Sequence, residues 1–168
     1  MSVESQVGRF HSTRWEPRIY PGSLAQASRV RAHIRRDLAG FPDDAVDTLQ
    51  LCCSELFANA VAYTASGEPG GEVVRRLCLL RPDTLRLEVT DGGWTQRRPA
   101  VPDHRSEHDW ATAEGQRGLL LVTACAAEWG YLHVLPHPGL NLGLRVWADF
   151  PVDPDGVPAG LEHYIFAR

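Results

Sequence analysis

Apolar residues recur along this chain with two different periods, and the order in which the periods change sets out its elements. Between Ser23 and Leu38, the residues Ala27, Val30, Ile34 and Leu38 fall three or four apart, the spacing of one helix face. Ser23 and Gln26 begin this stretch three residues apart, a capping-box pattern, and Gly40 ends it. A second helix is predicted after Pro42. Asp43, Asp44 and Asp47 lie at its positive end, and Val46, Leu49, Cys53, Leu56 and Ala60 share its core face. The pattern frays in Thr64 to Gly71, which is rich in Ser, Gly, Glu and Pro.

The period then shortens to two. Residues 72–80 and 85–90 read as strands joined by the turn Arg81-Pro82-Asp83-Thr84, with Leu77 and Leu79 facing Leu85, Leu87 and Val89. A helix from Gly118 to about Ala127 follows. Two further strands, near 129–135 and 142–150, are linked by Pro136-His137-Pro138-Gly139. In the last of them Leu144, Val146, Ala148 and Phe150 alternate with Arg145, Trp147 and Asp149. A short strand is also expected within Thr13 to Tyr20, before the turn Pro21-Gly22. This order predicts an α+β fold: a two-layer sandwich with a mixed, mostly antiparallel sheet and helices on one face. One domain over 14–150 is expected, with a flexible N-terminus at 1–13 and a C-terminal tail at 151–168. Residues 91–117 form a long irregular segment of the kind that serves as a lid or is disordered.

Composition narrows the function classes. The chain has 168 residues, 43% hydrophobic and 23% charged, ordinary values for one globular core. A formal charge of −4 argues against a nucleic-acid binder that relies on bulk positive charge. The arginines at 29, 31, 35 and 36 read as a solvated helix face. No signal peptide is visible, and the longest apolar run, 118–127, is too short to cross a bilayer, so a cytoplasmic location without membrane contact is expected. Cys52, Cys53, Cys78 and Cys125 form no Cys-x-x-Cys pair and read as free buried thiols. The pairs His104/His108 and His133/His137 lack a third ligand, which argues against a histidine metal centre.

Three short motifs carry the candidate chemistry. In Glu55-Leu56-Phe57-Ala58-Asn59-Ala60, Glu55 and Asn59 lie one turn apart on one helix face. Asn is a poor choice for a helix interior, which suggests a metal ligand beside a base; exposed polar residues on a helix are the plain alternative. Asp91-Gly92-Gly93 closes a strand: a buried carboxylate there accepts from a donor such as an exocyclic amine, and glycine lets a flat base approach. Asp-Gly is equally a common turn. Gly115-Gln116-Arg117-Gly118 enters a helix, where amides and Arg117 can hold phosphates or simply form an entry loop.

Taken in order, E-L-x-x-N-A, D-x-G and G-x-x-G-L-L-x-V resemble the nucleotide-binding boxes of the GHKL (histidine kinase-like) ATPase superfamily, and within it the stand-alone anti-sigma-factor serine/threonine kinases. The resemblance spans roughly 14–150 and implies a Bergerat-type sandwich that binds ATP and Mg²⁺. It implies Glu55 as the general base, Asn59 as the Mg²⁺ ligand, Asp91 as the adenine-reading carboxylate and Gly93 as the residue that lets the base sit close. Gly115, Arg117, Gly118 and Leu119 would form the phosphate-side lid. It also implies a sigma factor and an antagonist protein as partners, and a possible homodimer. This chain carries Tyr63 where many relatives have His, Thr95 at a usual glycine, bulky Trp94 and Trp110 in the lid, and Arg145 where relatives often place a Thr that supports the adenine site. These departures imply a weaker grip on ATP and keep a second reading in view, a non-catalytic partner-binding module with a degenerate nucleotide site. A sensor histidine kinase fragment is disfavoured by the short stretch before the first helix.

Overall fold

The computed structural model describes residues 13–93, 117–134 and 143–161. Among these the strands are β1 (Thr13–Arg14), β2 (Arg18–Pro21), β3 (Glu72–Arg81), β4 (Thr84–Thr90), β5 (Glu128–His133) and β6 (Leu144–Pro151). The helices are α1 (Ala27–Asp37), α2 (Asp43–Tyr63) and α3 (Arg117–Cys125). The strands form one sheet in the order β1-β3-β4-β6-β5, with β2 also paired to β3, and every pairing among the described residues is antiparallel. The strand expected within 13–20 is broken in two at Trp15–Pro17.

Alternation along the strands separates two faces. Leu77 pairs with Leu87 and Leu79 with Leu85, while Leu87 pairs with Ala148 and Leu85 with Phe150, which puts one apolar row set under the helices. These residues merge with Val30, Ile34 and Leu38 of α1 and with Val46, Leu49, Cys53, Leu56, Phe57 and Ala60 of α2 into one core. The predicted stripes of both helices are therefore the buried ones. Burying a side chain of this size stabilises by about 1.5–3 kcal/mol, which fixes the helical layer on the sheet. The opposite face carries Arg76, Arg86, Glu88, Arg145 and Trp147, all half-buried.

Two details differ from the sequence reading. The capping box does not form. Ser23 instead caps a short 3-10 turn, Leu24–Gln26, with its Oγ accepting from Ala25 N at 3.3 Å, and its own N–H goes to Pro21 O. The Gln26 Oε1 atom is buried with no partner among the described residues. Beyond β6, Val152 is buried and Val157 and Leu161 pack against the core, so the described part of the tail belongs to the folded body.

α1 and α2 run antiparallel, tied by Arg35 Nη2 to Asp47 Oδ1 at 2.7 Å and by Gln50 Nε2 to Arg31 O at 2.8 Å. At the C-terminal end of α1, Asp37 accepts from Arg18 of β2 (Nε to Oδ2, 2.8 Å) and from the fully buried Arg75 of β3. A carboxylate is unfavourable near the negative end of a helix, so these arginines are what allow it there. Burial works against ionisation of Asp37, but the hydrogen bonds from Arg18 and Arg75 outweigh it and hold the carboxyl below its ordinary range. No helix among the described residues is long and apolar enough to cross a membrane.

Candidate functional site

The polar residues singled out on α2 share one face. Glu55, Asn59 and Tyr63 follow at intervals of four along the helix, and Tyr63 is its last residue. Leu56, Phe57 and Ala60 beside them are buried, so the core fixes the helix while Glu55 and Asn59 stay half-buried at its edge. Neither Glu55 nor Asn59 has a side-chain hydrogen-bond partner among the described residues. Tyr63 is 41% exposed.

α3 closes this face at one point. A Cβ on Gly118 would stand 2.7 Å from Glu55 Oε2, 3.0 Å from Glu55 Cβ and 3.3 Å from Asn59 Nδ2. Only a residue without a side chain lets the start of α3 come this close to the two polar groups. Motifs more than fifty residues apart in the chain are thus in contact. Gly118 is buried in the first turn of α3. Arg117 opens α3 with an exposed side chain. Leu119 has its side chain in the core, so all it can offer a ligand is backbone. Gly115, with Trp94, Thr95, Trp110, His104, His108 and His137, lies outside the described residues.

Asp91 stands beyond the C-terminal end of α2. α2 stops at Tyr63, where Thr64 Oγ1 donates to Ala60 O (2.6 Å) and accepts from Ser66 N (3.1 Å), turning the chain. Ser66 is fully buried; its Oγ donates to Glu72 O at 2.7 Å and accepts from Gly92 N at 2.8 Å. Ala65 N donates to Gly93 O at 3.3 Å. The Asp91 loop is therefore clipped to the end of α2. Asn59 lies five residues before Thr64 and Glu55 nine, about 7 and 13 Å of helix rise.

The Asp91 carboxylate is 7% exposed and oriented by backbone alone. Its Oδ1 accepts from Gly93 N at 2.8 Å and from Leu144 N at 3.1 Å, and among the described residues no donor faces Oδ2. Gly93 adopts φ 74°, a left-handed conformation that brings its N–H back to the carboxylate. Gly143 is required for contact: a Cβ there would lie 1.7 Å from Asp91 O. Burial raises the Asp91 carboxyl above its ordinary value, and the two backbone donors pull the other way. One oxygen is thus held and one left for a donor.

The last strand corrects an expectation. Arg145 does not stand beside Asp91. It pairs with Leu132 and Thr90 on the opposite face of the sheet, where its Nε lies 3.6 Å from Glu88 Oε2 and 3.4 Å from Thr90 Oγ1. The residue next to the carboxylate is Leu144, buried and apolar, which contributes its N–H. Sequence reasoning also missed Ser66 and Gly143. Ser66 lay in the stretch where the pattern of the second helix frays. Gly143, directly before the last alternating strand, was a detectable signal for close backbone approach.

Cys52, Cys53 and Cys78 are buried and Cys125 is half-buried, all without disulfides; burial pushes the Cys52 and Cys53 thiols up to about 12. Among the described residues no group of three or more His, Cys, Asp or Glu could hold a metal ion. A cation here would need oxygens from a ligand beside that of Asn59. An amide oxygen completed by phosphate oxygens and waters is a donor set that suits Mg²⁺.

A family model described as a histidine kinase-like ATPase domain matches residues 20–137, well over half of the chain. No curated protein matches the sequence.

Proposed function

Because the chain belongs to the histidine kinase-like ATPase domain family, we propose that it binds ATP along α2 and transfers the γ-phosphate to a Ser or Thr of a protein substrate, as an anti-sigma-factor kinase that also sequesters a sigma factor. The observation that carries this reading is the seating of Gly118 on Glu55 and Asn59. That contact brings a carboxylate, an amide and the start of a helix to one spot, with the buried Asp91 carboxylate clipped beyond the far end of α2, and this supports the reading.

The roles follow from the chemistry each group can perform. Asp91 Oδ2 accepts from the exocyclic amine of adenine while its Oδ1 stays fixed by backbone. The amides opening α3 and Arg117 hold phosphate oxygens. Asn59 supplies the protein ligand to Mg²⁺, which neutralises phosphate charge when bound. Glu55 accepts the proton of the attacking hydroxyl; most of the remaining rate comes from positioning. A second reading, a partner-binding module with a degenerate nucleotide site, is favoured by one observation: the last-strand residue that meets Asp91, Leu144, offers only its backbone N–H and no polar side chain to support a base.

Incubation with γ-labelled ATP and soluble proteins of the source organism tests the catalytic reading. Acid-stable label on Ser or Thr of a second protein is expected, falling by about 10²–10⁴-fold in Glu55→Gln while ATP binding persists. Acid-labile label on His, or label undiminished in Glu55→Gln, would contradict it.

A further inference from the structure

The face of the sheet turned away from the helices carries a second, unrelated arrangement. Arg14 of β1 and Arg86 of β4 both pair with Cys78 of β3; Arg76 pairs with Glu88; and Arg145 lies one row further on β6. These four arginines, with Glu16, Glu88 and the break at Trp15–Pro17, surround a cavity of about 460 Å³. It lies on a chain whose formal charge is −4, so the positive lining is local rather than a general property of the surface.

Two of the guanidinium groups are fixed. Arg86 donates to both oxygens of Asp149 (2.6 and 2.8 Å) and lies 4.3 Å from the centre of the Trp147 ring, which itself covers Gly130. Arg145 is held by Glu88 and Thr90. They sit on different strands and in different rows, so they cannot swing together onto one anion. Arg76 forms no ion pair among the described residues. Sites two strands apart are separated by about 10 Å. The ligand that matches such a lining carries several negative charges along its length, separated by gaps. In an extended peptide, alternate side chains on one face repeat about every 7 Å.

We propose that this sheet face is a docking groove for an extended acidic segment of a partner protein, with Arg76 and Arg145 receiving its carboxylates. A phosphate polymer fits less well, because Glu16 and Glu88 stand inside the lining and repel a continuous run of charge. The groove is independent of the nucleotide reading, since it uses the other face of the sheet.

The test is fluorescence anisotropy of the full chain, without nucleotide, against a labelled eight-residue peptide with Glu at alternate positions. A matched peptide with Lys at those positions and a single-stranded oligonucleotide complete the set. Saturable binding of the Glu peptide is expected, weakened at higher salt, reduced at least tenfold by Arg76→Glu and retained by Arg76→Lys. The double variant Arg76→Glu/Arg145→Glu is expected to prefer the Lys peptide. Melting temperatures report whether each variant is folded, and Arg76→Ala replaces Arg76→Glu if the latter is not. No saturable binding at millimolar peptide, binding unchanged in the folded variants, or stronger binding of the oligonucleotide would each overturn the proposal.

Discussion

Two polar clusters flank the helical layer, and they are built to opposite rules. At the end of α1, Asp37 is enclosed by Arg18, Arg75 and the Trp15 indole N–H on its carbonyl (2.8 Å), and the Tyr20 hydroxyl meets His33 Nδ1 at 3.1 Å. Nearly every group there is turned to another group of the protein. The exceptions, Nε and Nη1 of Arg75, are buried atoms without a partner among the described residues. Along α2, by contrast, the side chains of Glu55 and Asn59 and one oxygen of Asp91 have no hydrogen-bond partner among the described residues. Polar groups satisfied from within hold a fold together, whereas polar groups positioned and left open hold a ligand. Substitutions in the first cluster should therefore cost stability, and those in the second should cost function.

The largest effect is expected at Asp37. Asp37→Ala leaves the buried Arg75 charge uncompensated and should destabilise by about 3–5 kcal/mol, read from urea unfolding. Because the folded-state carboxyl lies below its unfolded value, this stabilisation is present above the unfolded pKa and is lost as pH falls through the folded one. A loss below about 1 kcal/mol would remove the structural half of the contrast.

Gly118→Ala sharpens the other half. In most helices the change would add about 1 kcal/mol of helix propensity. Here the new methyl group meets the end of the Glu55 side chain, which moves aside, and Glu55 Cβ at 3.0 Å, so stability should change little. Displacing the base by about 1 Å should lower turnover of bound ATP by roughly 100-fold. Loss of stability with turnover intact would place Gly118 in the first class instead.

The smallest effect is a pH dependence. On the proposed reading Asp91 accepts best from adenine when ionised, and burial raises its carboxyl. ATP affinity should thus begin to fall on acidification at a higher pH than an ordinary aspartate would give. The same sign makes ionised Asp91 a cost to folding above its folded pKa, so Asp91→Asn should not lower stability at neutral pH. Titrations across the acid range, beside unfolding curves of the variant, check both.

Much of this contrast was legible in the sequence, and unevenly so. Periodicity located both helices and the β3–β4 hairpin because each buries one face. Glu55, Asn59, Asp91 and Gly118 were visible because their side chains, or the lack of one, would carry the proposed chemistry. The donors that orient Asp91 are backbone N–H groups of Gly93 and Leu144, and a backbone donor leaves no residue signature. The expectation for Arg145 came from the resemblance, whereas the alternation of Leu144, Val146, Ala148 and Phe150 with Arg145, Trp147 and Asp149 already put Arg145 on the face away from the core. Asp37 passed unnoticed, although a carboxylate at a helix C-terminus signals a nearby cation.

The most direct measurement is calorimetric titration of the protein and of Asp91→Asn with ATP, with Mg²⁺ and again with EDTA. Metal-dependent binding that weakens by about 10–100-fold in a variant of unchanged stability is the expected result, the range for one hydrogen bond to a charged group. Equal affinity in both proteins, or no binding at millimolar ATP, would contradict the account.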